Sequence, residues 1–146
     1  MSGSWISEEL RQLVSRRAAG LCEYCLLHED DSAYGFHVDH VIAEKHGGPT
    51  KDHNLCLCCP ACNRAKGSDI ATLVNGKMVR LFNPRIDLWG EHFVLDGAII
   101  RAKTLMAAGT LNLLRINDGP RMQLRQLLTE AGRFPTPAAR LRIFGE

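Results

Sequence analysis

The first 20 residues of the chain carry an apolar stripe with the spacing of a helix. The stripe follows the i, i+3, i+4, i+8 pattern that places side chains on one face of an α-helix. Its members are Leu10, Leu13, Val14 and Ala18. Ser7 stands where an N-cap is expected, two glutamates follow it, and Gly20 is suited to end the helix. We therefore predict a first helix between Ser7 and Gly20, with the stripe in the core.

Two short segments in the middle of the chain have the composition of strands. Residues 36–42 are rich in β-branched and aromatic side chains, which favours a strand. Leu55 and Leu57 alternate with cysteines, which predicts a second short strand with one buried face. The sequence GGP at 47–49 predicts a loop between the two strands. A short helix is then expected from Cys62 to about Lys66.

The second half of the chain alternates between turn signals and apolar runs. Two dipeptides typical of two-residue hairpin turns each separate a pair of apolar segments. These dipeptides are Asn75-Gly76 and Asp96-Gly97. Residues 104–115 and 119–132 have the periodicity of helices. Pro135 and Pro137 predict a loosely held tail after them.

Composition and length set the broad class of the protein. Apolar residues make up 45% of the 146 residues, which is enough for a modest core. The apolar runs are all shorter than the ~18 residues that a membrane span needs, so we expect no membrane segment. The N-terminus lacks the basic-then-apolar pattern of a secretory leader, which favours a cytoplasmic location. We expect one domain over residues 1–146.

The net charge of +2 is small, but the basic side chains are unevenly distributed. Thirteen of the 18 basic residues are arginines, whose planar fork suits bidentate contact with phosphate. Residues 115–146 contain six of them. They are Arg115, Arg121, Arg125, Arg133, Arg140 and Arg142. This segment is interpreted equally well as a solvated helix face and as a surface that faces phosphates.

Two Cys-x2-Cys pairs are the strongest metal-binding signal in the chain. Four cysteines in this arrangement are the usual way for a short chain to bind zinc through thiolates. They are Cys22, Cys25, Cys59 and Cys62. Cys56 and Cys59 have the same spacing, but Pro60 favours the tight turn that joins Cys59 to Cys62. Disulfides are the alternative, and the expected compartment argues against them. A site of four thiolates leaves no position open for water, so we predict a structural role.

The segment between the two cysteine pairs has the chemistry of a phosphodiesterase. Asp39 is a candidate ligand for a hard divalent cation, and His40 is a candidate general base because imidazole groups in general can accept a proton near neutral pH. Strict strand alternation would send these neighbours to opposite faces. Both can serve one site only if the strand ends or bulges there.

Five stretches in this region together resemble the zinc-ribbon branch of the HNH endonucleases. They are CEYC at 22–25, HVDHVI at 37–42, KHGGPT at 45–50, HNL at 53–55 and CPACNRAKG at 59–67. The resemblance covers roughly residues 20–70. It implies a strand, loop, strand and helix around a metal, the ββα-metal arrangement.

The resemblance also implies roles for particular residues. Asn63 would supply an oxygen to the same cation as Asp39, and Mg²⁺ or Mn²⁺ suits such ligands. Asn54 would fix the long loop and so orient His40. Lys66 and Arg64 follow Asn63 and are candidates for contact with substrate phosphates. His37 is a further candidate, because alternation places it on the strand face of Asp39.

These observations predict an α+β fold: a zinc-stapled ββα-metal core with an N-terminal helix and a C-terminal extension of β-hairpins and helices over residues 71–146. The predicted function is metal-dependent hydrolysis of phosphodiester bonds in DNA, with double-stranded DNA as the expected partner. Two alternatives remain open. One is a non-catalytic zinc ribbon that binds nucleic acid, and the other is a partner-dependent subunit of a defence or mobile-element complex.

Overall fold

The computed structural model describes residues 5–145. Its helices and strands lie in the following order: α1 (Glu8–Ala18), β1 (His37–His40), β2 (Leu55–Cys58), α2 (Pro60–Lys66), β3 (Ala71–Val74), β4 (Lys77–Arg80), α3 (Trp89–His92), β5 (Phe93–Asp96), β6 (Ile99–Ala102), α4 (Leu105–Leu113), α5 (Gly119–Glu130) and α6 (Pro137–Phe144). The α+β class is confirmed, and none of the helices within residues 5–145 is long and apolar enough to cross a membrane.

Helix α1 begins and ends where its sequence predicts. The Ser7 hydroxyl accepts a hydrogen bond from the backbone N–H of Leu10 at 3.1 Å, so it caps the free N-terminus of the helix. After Ala18 the chain turns through Ala19, which has a left-handed φ of 54°. Helix α1 packs on β2 and leads directly into the first cysteine pair.

Strands β1 and β2 form an antiparallel pair. His37 lies opposite Cys58, and Asp39 lies opposite Cys56. The sequence predicted one buried face for β2, but all four of its residues are buried. Leu55 and Leu57 pack in a cluster with α1, while Cys56 and Cys58, which alternate with them, belong to the main core. The strand therefore separates two apolar clusters instead of facing solvent on one side.

The C-terminal extension contains two antiparallel hairpins at the predicted dipeptides. Strand β3 pairs with β4 around Asn75 and Gly76, and β5 pairs with β6 around Asp96 and Gly97. Helix α4 packs on the first hairpin and on β6. Gly109 permits the close approach to the hairpin, because an added Cβ would lie 2.8 Å from Thr72 and 3.1 Å from Val74.

The prediction of a loosely held tail is wrong. Residues Pro137–Phe144 form α6, capped by the Thr136 hydroxyl, which accepts a hydrogen bond from the Ala139 N–H at 3.1 Å. Ala139 and Ile143 are buried against the main core. Proline at the first turn of a helix is favourable, since its missing N–H has no partner there in any case. The proline therefore marks the start of a helix.

Candidate functional site

The four predicted zinc ligands converge in the core. The Sγ atoms of Cys22, Cys25, Cys59 and Cys62 all lie within 4.8 Å of one another, and all four residues are buried. The Sγ atoms of Cys25 and Cys59 are 3.8 Å apart. Zinc bound tetrahedrally at ~2.3 Å from each sulfur requires separations of about 3.8 Å. The donor set and its spacing therefore fit a structural zinc ion.

The competing cysteines have a different environment. The Cys56 thiol donates a hydrogen bond to the Tyr24 hydroxyl at 3.8 Å and stays outside the group of four. Burial, and to a smaller extent the negative charge of Glu23, raises the pKa of Cys56 to about 12, while the hydrogen bond with Tyr24 acts in the opposite direction. Cys58 is likewise buried in β2. Both are thiols of the main core.

A cationic side chain that sequence reasoning did not associate with the metal site contacts two of its thiols. The Nη2 atom of Arg121, on α5, lies 2.9 Å from the Sγ of Cys62 and 3.7 Å from that of Cys59. Burial alone would lower the pKa of Arg121, but the thiolates of Cys62 and Cys25 raise it above its usual value. Arg121 and Cys62 are 59 positions apart in the sequence, which explains why no local motif reveals the contact.

His40 is the last residue of β1, and it is almost fully buried. Its side chain is 3% exposed, and its Nε2 is hydrogen-bonded to the Thr50 Oγ1 at 2.8 Å. Its Nδ1 is also buried and has no hydrogen-bond partner among residues 5–145. An unpaired polar atom in a protein interior is unusual and indicates a missing ligand or water. The strand ends at His40, which meets the condition for Asp39 and His40 to serve one site.

Asn54 fixes the loop that leads from β1 to β2. Its side-chain oxygen accepts a hydrogen bond from the Ile42 N–H at 3.0 Å, and its amide donates to the carbonyls of Ile42 and Pro49 at 2.9 Å each. Gly48 lies against this network, because an added Cβ would overlap the Ile42 carbonyl and approach the Asn54 amide nitrogen to 2.7 Å. Asn54 therefore holds both ends of the segment that carries Thr50 to the His40 ring.

Asp39 and Asn63 lie on neighbouring elements. Asp39 is half-buried on β1, Asn63 is half-buried on α2, and the two elements pack together. Helix α2 is oriented by the metal site, because Cys59 caps its N-terminus and accepts a hydrogen bond through its Sγ from the Cys62 N–H at 3.4 Å. The zinc ligands thus set the position of the helix that bears Asn63.

The three candidates for substrate contact differ in exposure. Lys66 is 2% exposed, and its Nζ has no hydrogen-bond partner within residues 5–145. Arg64 is exposed and lines a cleft of about 680 Å³ together with Arg115 and Arg121. His37 is exposed on β1.

The two interpretations of the C-terminal arginines both fail for several members. Arg125 is 2% exposed and donates to the Ala98 carbonyl at 2.7 Å and the Ile116 carbonyl at 2.9 Å. Arg133 donates to Asp31 through Nε at 2.9 Å. These side chains, like that of Arg121, hold parts of the protein together. Arg125 is therefore not part of a solvated helix face or of a phosphate-binding surface, and Arg133 is exposed but paired with Asp31.

Glu23, between the first two cysteines, connects the metal site with the C-terminal extension. Its side chain is fully buried and accepts the Leu57 N–H at 2.9 Å. It forms ion pairs with Arg85, in the segment before α3, and with Arg142, on α6, the latter at 3.5 Å. The sequence position next to a zinc ligand gave no sign of this role.

Comparison with known proteins supports the resemblance. Residues 22–69, about a third of the chain, match the family model described as HNH endonuclease. The searches of curated proteins and of solved structures returned no match. The matched segment begins at the first zinc ligand and includes both cysteine pairs and the β1, β2 and α2 elements. HNH proteins are generally nucleases that use divalent metals and act on nucleic acid.

Proposed function

We propose that the protein is a metal-dependent endonuclease that hydrolyses phosphodiester bonds in double-stranded DNA. The buried, unpaired Nδ1 of His40 carries this proposal, because it is a basic atom held at the end of β1 with no protein partner among residues 5–145. Asp39, the adjacent residue, offers a carboxylate for a hard cation. The match to the HNH model over residues 22–69 supports the same chemistry.

His40 acts as the general base in this proposal. With its Nε2–H donating to the Thr50 hydroxyl oxygen, the lone pair lies on Nδ1 and can take a proton from the attacking water. Thr50 is then a positioning residue, since its hydrogen bond with Nε2 fixes the orientation of the ring. Asn54 acts indirectly, because its hydrogen bonds to the Ile42 and Pro49 carbonyls fix the loop that carries Thr50.

Asp39 and Asn63 are the residues that would hold a catalytic Mg²⁺ or Mn²⁺ ion. One carboxylate and one amide oxygen leave room for water and substrate oxygens, as magnesium sites commonly do. When bound, such an ion neutralises charge on the scissile phosphate and on the departing 3′ oxygen. The products would carry 5′-phosphate and 3′-hydroxyl ends.

The surface around α2 offers a path for the DNA backbone. Arg64 and Arg115 are both exposed, neither is ion-paired among residues 5–145, and both line the cleft beside α2. Such a pair would bind phosphates and carry no sequence information. Lys66 lies deeper and would stabilise negative charge near Asp39, and His37 stands at the exposed start of β1.

Cleavage of supercoiled plasmid with Mg²⁺, with Mn²⁺ and without added metal tests this proposal. We expect nicked or linear product only when a divalent ion is added. His40→Ala should lower the rate by ~10²–10⁴-fold, which is the usual contribution of a general base. Thr50→Val should lower the rate less and leave DNA binding unchanged, and Arg64→Gln should weaken binding similarly on unrelated duplexes.

His53→Ala is the matched control, because His53 is an exposed histidine in the same loop. Plasmid cleavage by His40→Ala at the wild-type rate would refute the mechanism. Cleavage of RNA in place of duplex DNA would show that the substrate is wrong. Salt-sensitive DNA binding without cleavage under any metal would favour a non-catalytic zinc ribbon.

A further inference from the structure

The guanidinium of Arg121 is held in place on both of its sides. Its Nη1 donates to the Leu114 carbonyl at 2.6 Å and to the Arg115 carbonyl at 3.2 Å, both in the turn between α4 and α5. Its Nη2 points to the Sγ of Cys62 at 2.9 Å. A side chain anchored at one end by two carbonyls presents its other end in a fixed direction, so little ordering is needed to make the contact with sulfur.

The metal site requires such a partner on electrostatic grounds. One Zn²⁺ ion and four thiolates carry a net charge of −2, and all four cysteines are buried. A buried charge without a partner is costly. Among residues 5–145, Arg121 is the cationic side chain that hydrogen-bonds to the sulfur atoms of the site. Glu23, beside the first cysteine pair, is bound to Arg85 and Arg142 and not to the sulfurs. Arg125 also interacts electrostatically with the cysteines, but its guanidinium donates to the Ala98 and Ile116 carbonyls and not to sulfur.

We infer that Arg121 is an outer ligand of the zinc site: it offsets part of the charge of the zinc–thiolate cluster, strengthens zinc retention and makes the docking of α5 depend on the metal. The inference does not depend on nuclease activity. It assigns Arg121 to the metal site. The sequence alone suggested that this side chain contacts either phosphates or solvent. The Nη2–H donates to a lone pair of Cys62 that zinc does not use, so both interactions form at once.

Competition for zinc with a chromophoric chelator tests the inference in Arg121→Gln. We expect zinc affinity to fall ~10–100-fold, the usual effect of removing a hydrogen bond from a metal ligand. Arg115→Gln is the matched control, since it removes the same charge from the neighbouring turn while the Arg115 side chain is exposed and makes no contact with sulfur among the described residues. Unchanged affinity in Arg121→Gln, or equal losses in both variants, would overturn the inference.

A spectroscopic measurement separates an electronic role from a merely structural one. Cobalt(II) in place of zinc gives thiolate-to-metal charge-transfer bands, and a hydrogen bond to sulfur moves them to higher energy. Removal of that bond in Arg121→Gln should shift the bands to longer wavelength, while Arg115→Gln should leave them in place. If Arg121→Gln fails to fold, the same spectrum is recorded for Arg121→Lys, which keeps the charge and loses the fork. An unshifted band in the folded variant would overturn the inference.

Discussion

Gly48 shows how one residue controls the placement of the candidate base. It lies where the loop passes closest to the Ile42 carbonyl, in the network that Asn54 builds. This network delivers Thr50 to His40. No side chain fits at position 48, so the orientation of the His40 ring depends on a glycine there.

We expect Gly48→Ala to destabilise this loop. Its methyl group would overlap the Ile42 carbonyl, so the backbone must move and at least one Asn54 hydrogen bond must break. The free energy of unfolding should fall by about 1–3 kcal/mol, and plasmid cleavage should slow. Chemical denaturation measures the first effect. Gly35→Ala is the control, because an added Cβ there meets no atom within 4 Å and should change stability by less than ~0.5 kcal/mol. Equal stability of the two variants would contradict this account.

Individual residues differ in how far their sequence revealed their role. The four cysteines that could hold zinc could be predicted because the spacing of a Cys-x2-Cys pair is a local feature of the sequence. Thr50 lies inside a recognised stretch, but nothing in its sequence indicates a bond to His40. Glu23 and Arg121 could not be predicted, since their partners lie 62 and 59 residues away and only tertiary packing brings them together.

At the scale of elements, helix α6 shows where reasoning from proline went wrong. Two prolines close together predict a loosely held tail, yet Thr136 followed by Pro137 is a cap followed by a favourable first turn. Both hairpins and helices α1, α4 and α5 were predicted correctly, because turn dipeptides and helical periodicity are local signals. The buried second face of β2 was not predictable, as it depends on which distant elements cover it.

Helix α6 should contribute to stability through its inner face alone. Ile143 is 8% exposed and packs in the main core, whereas Leu141 on the same helix is 55% exposed. We expect Ile143→Ala to lower the free energy of unfolding by about 2–4 kcal/mol, as for other buried aliphatic side chains. Leu141→Ala should cost about 0.5 kcal/mol or less. Urea denaturation of both variants provides the comparison. Similar small losses would mean that the tail is loosely held after all.

At the scale of the whole molecule, the C-terminal extension is attached to the zinc-binding segment at several points. The Trp89 indole N–H donates to the Tyr24 carbonyl at 2.9 Å, inside the first cysteine pair. Glu23 pairs with Arg85 and Arg142, and Arg121 contacts the second cysteine pair. Metal binding and folding of the extension should therefore occur together.

Removal of zinc should thus be visible at Trp89. We expect a chelator to shift the tryptophan emission to longer wavelength and to unfold the protein, since a structural zinc contributes on the order of 10 kcal/mol. Trp5 is 81% exposed, so Trp5→Phe removes the emission of this second tryptophan without disturbing the core. Zinc added back should restore the emission. A protein that loses its zinc while the Trp89 emission stays unchanged would show that the extension folds independently.

The buried carboxylate of Glu23 limits how the candidate catalytic segment can be reused in protein engineering. Residues 20–70 contain both cysteine pairs and every candidate catalytic residue, so they invite transplantation into a fusion with a DNA-binding protein. Such a transplant would leave Arg85 and Arg142 behind and expose a carboxylate that now sits beside the Leu57 amide. A portable version needs an uncharged hydrogen-bond acceptor at position 23 or a host that supplies replacement cations.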